Sequence, residues 1–319
     1  MTQWLLSKLV EFEMTPNPKF AFQGTVNWMR ALAILCDSSD LEKVALRKCY
    51  SKIKGPEISG QKEAEIFQNL LMSLSDISAL TAIRNNPGMA HELVRQAVVS
   101  WYYSTYWSGR ALMALKSTVP ETHAGLAKVW QATSISLPSP FDLSIDNLMP
   151  NEIESQIKAL REGNSHDLNS VPKTHEEAFG AYLSYLKGTA AYEREKIENR
   201  VRQSPQFKML GKENFKSNVA KELRDPALIK GYANFFSMAF RFRGKAHYRD
   251  AIYLTYGDDR EDAIKIFITD MEAVAKAFFR TCSVAISRKT QSGKWEKFAT
   301  DIKNNARFDF DESLLDVEG

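Results

Sequence analysis

Residues Phe236 to Tyr256 read FSMAFRFRGKAHYRDAIYLTY. Aliphatic and aromatic side chains recur through this run at helical spacing, with Arg241, Arg243, Lys245, His247 and Arg249 set among them. A packed helix needs only an apolar stripe and a polar face. A knot of cations around one imidazole is more than packing requires, so function is sought here first. Wrapped on a helix, Arg243 and His247 share one face, whereas Arg241, Lys245 and Tyr248 share another. The cations therefore cover more than half the circumference and cannot all aim at one small pocket. A two-fold axis beside the helix would gather two such sets, so a homodimer is expected. Histidine exchanges protons near neutral pH, and arginine stabilises the charge of a phosphorane-like state. Together they suit RNA cleavage by attack of a ribose 2′-OH on the adjacent phosphate. The plainer reading of the same residues is a basic surface face with His247 as a structural residue.

Val99 to Leu115 (VSWYYSTYWSGRALMAL) is the expected packing partner of that helix. Tyr103, Trp107 and Arg110 fall at i, i+4 and i+7 and form one stripe. They can face a nucleotide or RNA base, by ring stacking and phosphate pairing, or they can form the edge of a helix–helix core. Ser104, Ser108 and Ala111 form a second, small-residue stripe that admits a close neighbouring helix.

Further out the periodicity is helical almost throughout. Helices are expected from Trp4 to Phe12, around Val26 to Leu35, from Asp40 to about Ile53, from Gln61 to Ile83, from His91 to Lys116 and from His123 to Thr133. Asn85-Asn86-Pro87-Gly88 is a strong stop. Ser136 to Lys173 is rich in proline and reads as an irregular insertion with one short helix, Glu152 to Arg161. His175 to Val201 is helical. Asp225-Pro226 reads as the N-cap and first position of a helix running to Tyr256 and closed by Gly257. Asp258 and Asp259 open another, ending near Ser287, and Trp295 to about Asn304 forms the last. The acidic tail DFDESLLDVEG reads as a frayed terminus, or as a segment that docks on the basic helix. No strand pattern, glycine-rich phosphate loop or repeat emerges. The expected fold is all-α, a helical bundle. Its expected divisions are an N-terminal helical region (1–85), a bundle (86–290) with the insertion at about 136–173, and a C-terminal helix with the acidic tail (291–319).

Composition narrows the chemistry. The chain has 319 residues, 44% hydrophobic and 25% charged, enough to build a core without staples. A formal charge of +3 is too small to argue nucleic-acid binding except through local clustering. Cys36, Cys49 and Cys282 form no CxxC and fit a reducing compartment, with Cys282 expected in the core. The N-terminus lacks signal-peptide features, and no uncharged apolar run approaches the length of a membrane span, so a soluble, cytoplasmic protein is expected. His91, His123, His166, His175 and His247 are scattered without ligand spacing, so no metal or other cofactor is expected. No serine or cysteine nucleophile motif is present.

Two segments together resemble the HEPN superfamily of helical bundles. The first is Tyr102-Tyr103-Ser104-Thr105-Tyr106-Trp107-Ser108-Gly109-Arg110-Ala111-Leu112, followed by Thr122-His123-Ala124-Gly125-Leu126. The second is Arg241-x5-His247, similar to the family's Arg-x(4–6)-His. The resemblance covers about Glu92 to Ser134 and Asp225 to Ala285. It departs at Phe242, where the family usually has a polar residue, and Arg243-x3-His247 is closer than the family spacing. The resemblance implies a metal-independent endoribonuclease acting as effector in a toxin–antitoxin or anti-phage system, with RNA as substrate and a separate antitoxin or defence protein as partner. It equally implies a non-catalytic module that binds nucleotides or proteins. In the first case His247 would be the general acid/base. Arg241, or Arg243 in its place, would stabilise the scissile phosphate. Arg110, Lys245 and Arg249 would hold the backbone, beside Tyr103 and Trp107.

Overall fold

The structure, a computed structural model of the chain, describes residues 4–11, 18–37, 47, 49, 58, 60–115, 121–132, 137–161, 170–249, 251–256 and 260–317. The helix expected from Asp40 to Ile53, the residues Asp250 and Gly257 to Asp259, and the side chain of Arg249 lie outside the described residues. The fold is all-α. Its helices are α1 (Trp4–Glu11), α2 (Pro18–Cys36), α3 (Gly60–Arg84), α4 (Ala90–Ala114), α5 (His123–Gln131), α6 (Pro150–Arg161), α7 (His175–Gln203), α8 (Pro205–Met209), α9 (Asn218–Ile229), α10 (Phe235–Gly244), α11 (Ile252–Thr255), α12 (Glu261–Ser287) and α13 (Lys294–Asn305). A π-helical turn, Lys245–Arg249, follows α10.

Helix α4 lies at the centre, with Val94, Val98, Trp101 and Leu112 fully buried. The small-residue stripe does what its spacing predicts. Ser73 of α3 donates from Oγ to the Ser104 carbonyl at 2.7 Å and shares a 2.7 Å hydrogen bond with Ser108 Oγ. A second close approach brings in α10. A Cβ built on Gly109 would stand 2.2 Å from Cζ of Phe236. On its other side α4 meets α12, whose Phe267, Met271, Phe278 and Cys282 are buried. Two buried carboxylates tie α12 to its neighbours. Asp270 accepts from Arg30 of α2 at 2.8 Å, and Glu272 pairs with Arg84 of α3 at 2.9 Å. One hydrophobic cluster runs from Leu6 to Leu315.

The structure departs from expectation at four places. Pro226 does not start a helix; it sits inside α9. The chain then turns at Lys230 and Gly231, and Asn234 begins α10 by accepting from the Ser237 amide at 3.1 Å while its side-chain amide donates to the Ala127 carbonyl at 2.8 Å. A capping asparagine anchored to another helix outweighs the apolar continuity that spans the break. Second, a minimal antiparallel ladder exists: β1 (Ile145–Asp146) pairs with β2 (Tyr232–Ala233). Two residues per strand are too few to write a period of two into the sequence. Third, the start of the proline-rich segment is packed into the core, with Phe141 wedged edge-on against Phe235 and Phe278. Fourth, the acidic tail docks, on α12 and α13 rather than on the basic helix. Leu314 and Leu315 are buried, Trp295 Nε1 donates to the Leu315 carbonyl at 3.0 Å, and Lys276 pairs with Asp311 at 3.4 Å. Helix α3 is long and apolar enough by composition to cross a membrane, and its Ile66, Leu70, Leu74, Ile77 and Leu80 are buried in the core.

Two outcomes test this packing. Gly109→Ala forces a methyl into Phe236 and should destabilise the fold by about 1–3 kcal/mol, read as a lower urea midpoint, whereas Gly88→Ala, with open space around it, should not. Truncation after Asn305 removes two buried leucines and should cost about 2–5 kcal/mol; a midpoint equal to that of the full chain would show a loose terminus instead.

Candidate nucleic-acid interface

Helix α10 is fixed by Phe242, which is fully buried against Trp28, Trp101 and Phe267 at ring-centroid distances of 4.8, 5.3 and 6.2 Å. With residue 242 pointing into the core, residues 241 and 243 must leave on opposite sides of the helix. Arg241 lies on α7. Its Nη1 donates to Thr189 Oγ1 at 3.1 Å, and its guanidinium covers the rings of Tyr185 and Tyr192 at 5.2 and 5.4 Å. Gly188 leaves the room, since a Cβ there would meet Arg241 Nη1 at 3.4 Å. Lys245 points the same way, its Nζ 3.4 Å from where a Cβ on Gly24 of α2 would stand.

Arg243 leaves on the α4 side. Its guanidinium covers Tyr102 at 4.7 Å, Phe240 at 5.4 Å and Tyr103 at 5.9 Å, and Nη1 donates to Tyr103 Oη at 3.4 Å. Planar guanidinium on aromatic faces keeps its charge while losing little favourable solvation. The second arginine of this wall is Arg110, over Tyr106 and Trp107 at 5.7 Å each, donating to Tyr106 Oη at 3.3 Å and pairing loosely with Glu65 at 3.7 Å. Tyr103, Trp107 and Arg110 are half-buried, while Tyr102 and Tyr106 are core. The stripe of Tyr103, Trp107 and Arg110 therefore lies at the edge of the core rather than inside it.

The residue that joins these parts is His123, which the sequence placed in a recognisable segment but not in the site. It opens α5, where Thr122 Oγ1 accepts from the Gly125 amide at 3.0 Å. Its Nδ1 shares a 2.8 Å hydrogen bond with Tyr102 Oη, and its ring stacks on Phe240 at 5.6 Å with 26° between planes. Burial, then the charges of Arg243 and Arg110, hold its pKa below the ordinary 6.5, so the imidazole is neutral at physiological pH. Burial pushes the Tyr102 phenol up, so that group stays protonated. A tyrosine pair one turn apart, followed within about one loop by a capped histidine, was the available signal.

His247 stands on the π-helical turn. Its Nδ1 is buried without a hydrogen-bond partner among the described residues, and its ring meets Tyr248 edge-on at 4.7 Å. No hydrogen bond or ring contact joins Arg241 to His247 among the described residues. The structure therefore brings Arg243, Arg110, Tyr103 and Trp107 to one wall with His123. It sends Arg241 and Lys245 to the opposite side of α10. Cys282 is core, its thiol pushed up by burial. Among the described residues no three His, Cys, Asp or Glu side chains converge as a metal centre would need. No protein-family model, no curated protein and no solved structure matches this chain.

The wall has a proton linkage. Because the folded state holds His123 below 6.5, the unfolded chain binds more protons in that window, so stability is greatest above 6.5 and is lost as pH falls through the folded pKa. Asp76, pushed up to about 7 by burial, titrates with the opposite sign: it favours the folded state below its unfolded value of 3.8 and loses that contribution as pH rises through about 7. The difference between wild type and His123→Gln removes Asp76 from the comparison. We expect wild type to lose more stability than His123→Gln between pH 7 and 5 in denaturant titrations, and parallel curves would contradict the assignment.

Proposed function

We propose that the protein binds RNA and cleaves it without a metal ion, at the wall formed by α4, α5 and α10, as a HEPN-like bundle. The observation that carries this reading is Arg243, a guanidinium held across Tyr102 and Tyr103 beside a half-buried imidazole. Such a wall offers the two contacts that single-stranded RNA presents, flat faces for bases and a fixed cation for phosphate. Arg243 takes the phosphate-stabilising role in preference to Arg241, which is spent on α7 packing. His247 lies one turn beyond Arg243, its ring half-buried and its Nδ1 without a hydrogen-bond partner among the described residues. Arg110 adds backbone charge beside Trp107.

The chemistry is transesterification. A base takes the proton of the ribose 2′-OH as the O2′–P bond forms. The P–O5′ bond breaks, and O5′ takes up a proton. The products are a 2′,3′-cyclic phosphate and a 5′-hydroxyl, with no net change in protons. A general acid/base contributes roughly 10²–10⁴-fold and a charge-stabilising donor roughly 10²–10³-fold.

Purified protein incubated with total RNA and chelator should therefore yield fragments ending in cyclic phosphate. Arg243→Ala and His247→Ala should each lower the rate by about 10²-fold or more, while Arg241→Ala should act mainly on stability. Full cleavage by both Arg243→Ala and His247→Ala would sink the reading. Binding of RNA without cleavage would establish the non-catalytic module instead.

A further inference from the structure

Beside the wall lies a cleft of about 480 Å³ between α5, α7, the α9–β2 turn and α10. That volume is in the range of small-ligand sites and is suited to one or two nucleotides. Its floor is apolar, formed by Ala127, Ile197 and Phe236 among others. Its rim carries four cations from three elements: Lys128 of α5, Lys196 and Arg200 of α7, and Lys230 at the end of α9. Glu193 is the one carboxylate among the lining residues, and it is already paired with Lys196 at 2.9 Å. Lys128, Arg200 and Lys230 are exposed and have no ion-pair partner among the described residues. Three uncompensated cations around an apolar floor describe a place for a ring-bearing polyanion.

The two sites meet at one pair of side chains. His123 and Phe240 line the cleft, and the same two rings close the end of the Tyr102–Arg243 wall. We infer that the cleft holds the RNA strand on one side of the cut, and that His123, at its junction with the wall, is a catalytic residue that exchanges a proton with the scissile unit. This rests on the RNA-cleavage reading above and adds to it a strand path and a second imidazole.

The geometry suits that role. One ring nitrogen of His123 is held by Tyr102, which fixes the ring and leaves Nε2 as the nitrogen available to substrate. A reaction that removes one proton at O2′ and delivers one at O5′ uses two proton-transferring groups, and His247 alone supplies one. The charged and titratable groups facing His123 are Tyr102, Tyr103, Tyr106 and Arg110 from α4 and Arg243 from α10. Across the cleft stand the cations of α7 and Lys230. Burial, then the two nearby arginines, favour its neutral form, as a base at neutral pH requires.

The test has a binding arm and a cleavage arm, both on the full chain. In the first, a fluorescein-labelled single-stranded RNA decamer is titrated at several salt concentrations. Arg200→Glu/Lys230→Glu should weaken binding about tenfold or more and reduce the salt slope by roughly one to two units. Unchanged affinity and slope would remove the strand path. In the second, His123→Gln, which keeps a polar partner for Tyr102, should retain decamer binding and slow cleavage by about 10²-fold or more. Its residual rate should lack the acid limb that wild type shows below pH 6.5, and Arg110→Gln should move that limb to higher pH. Cleavage by His123→Gln with the wild-type pH profile overturns the catalytic role and leaves the cleavage reading standing. A wild-type protein that binds the decamer and never cuts it refutes both cleavage and the role of His123, and the charge-reversal variant then still decides the strand path.

Discussion

The wedge of Phe242 between Trp28 and Trp101 governs how this bundle presents its charge. Trp28 and Trp101 meet edge-on at 5.7 Å, Phe242 closes on both, and Trp28 also stacks on Tyr185 at 4.6 Å. Those contacts bind α2, α4, α7 and α10 at one point, with α12 reaching in through Phe267. Large aromatic side chains contribute heavily to core stability, and edge-to-face pairs add to the area they bury. The position of Phe242 also sets direction. Because it must point inward, the two flanking arginines diverge, one onto α7 and one onto α4. Phe242 thus sorts the two arginines onto opposite sides of α10.

Charge is arranged differently on the two sides of the molecule. Around α12 each of Arg30, Arg84 and Lys276 faces a carboxylate, and two of those carboxylates, Asp270 and Glu272, are buried. Removing the cation there would leave a buried carboxylate unpaired, so these pairs hold the helices in register more than they stabilise them. Beside α5 the balance is reversed. Arg243 rests on rings, and Lys128, Arg200 and Lys230 have no ion-pair partner among the described residues. Uncompensated like charges around an apolar floor weaken a fold slightly through self-repulsion, and nothing in the packing calls for them.

Much of the fold was legible because its signals are local. The helices from Gly60 to Arg84 and from Glu261 to Ser287 follow their apolar periodicity to within a few residues. The Ser104–Ser108 stripe announced the approach of α3. Helical spacing likewise separates Arg243 from Arg241 and Lys245. What could not be read depends on contacts distant in sequence. The break at Asn234 relies on the Ala127 carbonyl, the two-residue ladder on pairing across most of the bundle, and the docked tail on Trp295 and Lys276. His123 belongs to the same class. Its perturbation comes from burial in the bundle and from Arg243, 120 residues away in the chain, and a lone histidine beside a cap carries no mark of either.

Arg243 and His247 stand four residues apart, and His247 lies on the π-helical turn. Four residues along a regular α-helix overshoot one full turn by 40°, whereas a π-helical stretch rotates less for each residue. Residues 245 to 249 form such a stretch, so His247 falls more nearly beneath Arg243 than an α-helix would allow. The same under-rotation carries it further from Arg241, six positions back and already turned toward α7. Single π turns cost hydrogen-bond geometry and persist where they re-aim a side chain. Here the turn aligns Phe240, Arg243 and His247 into one stripe, with His123 stacked at the Phe240 end.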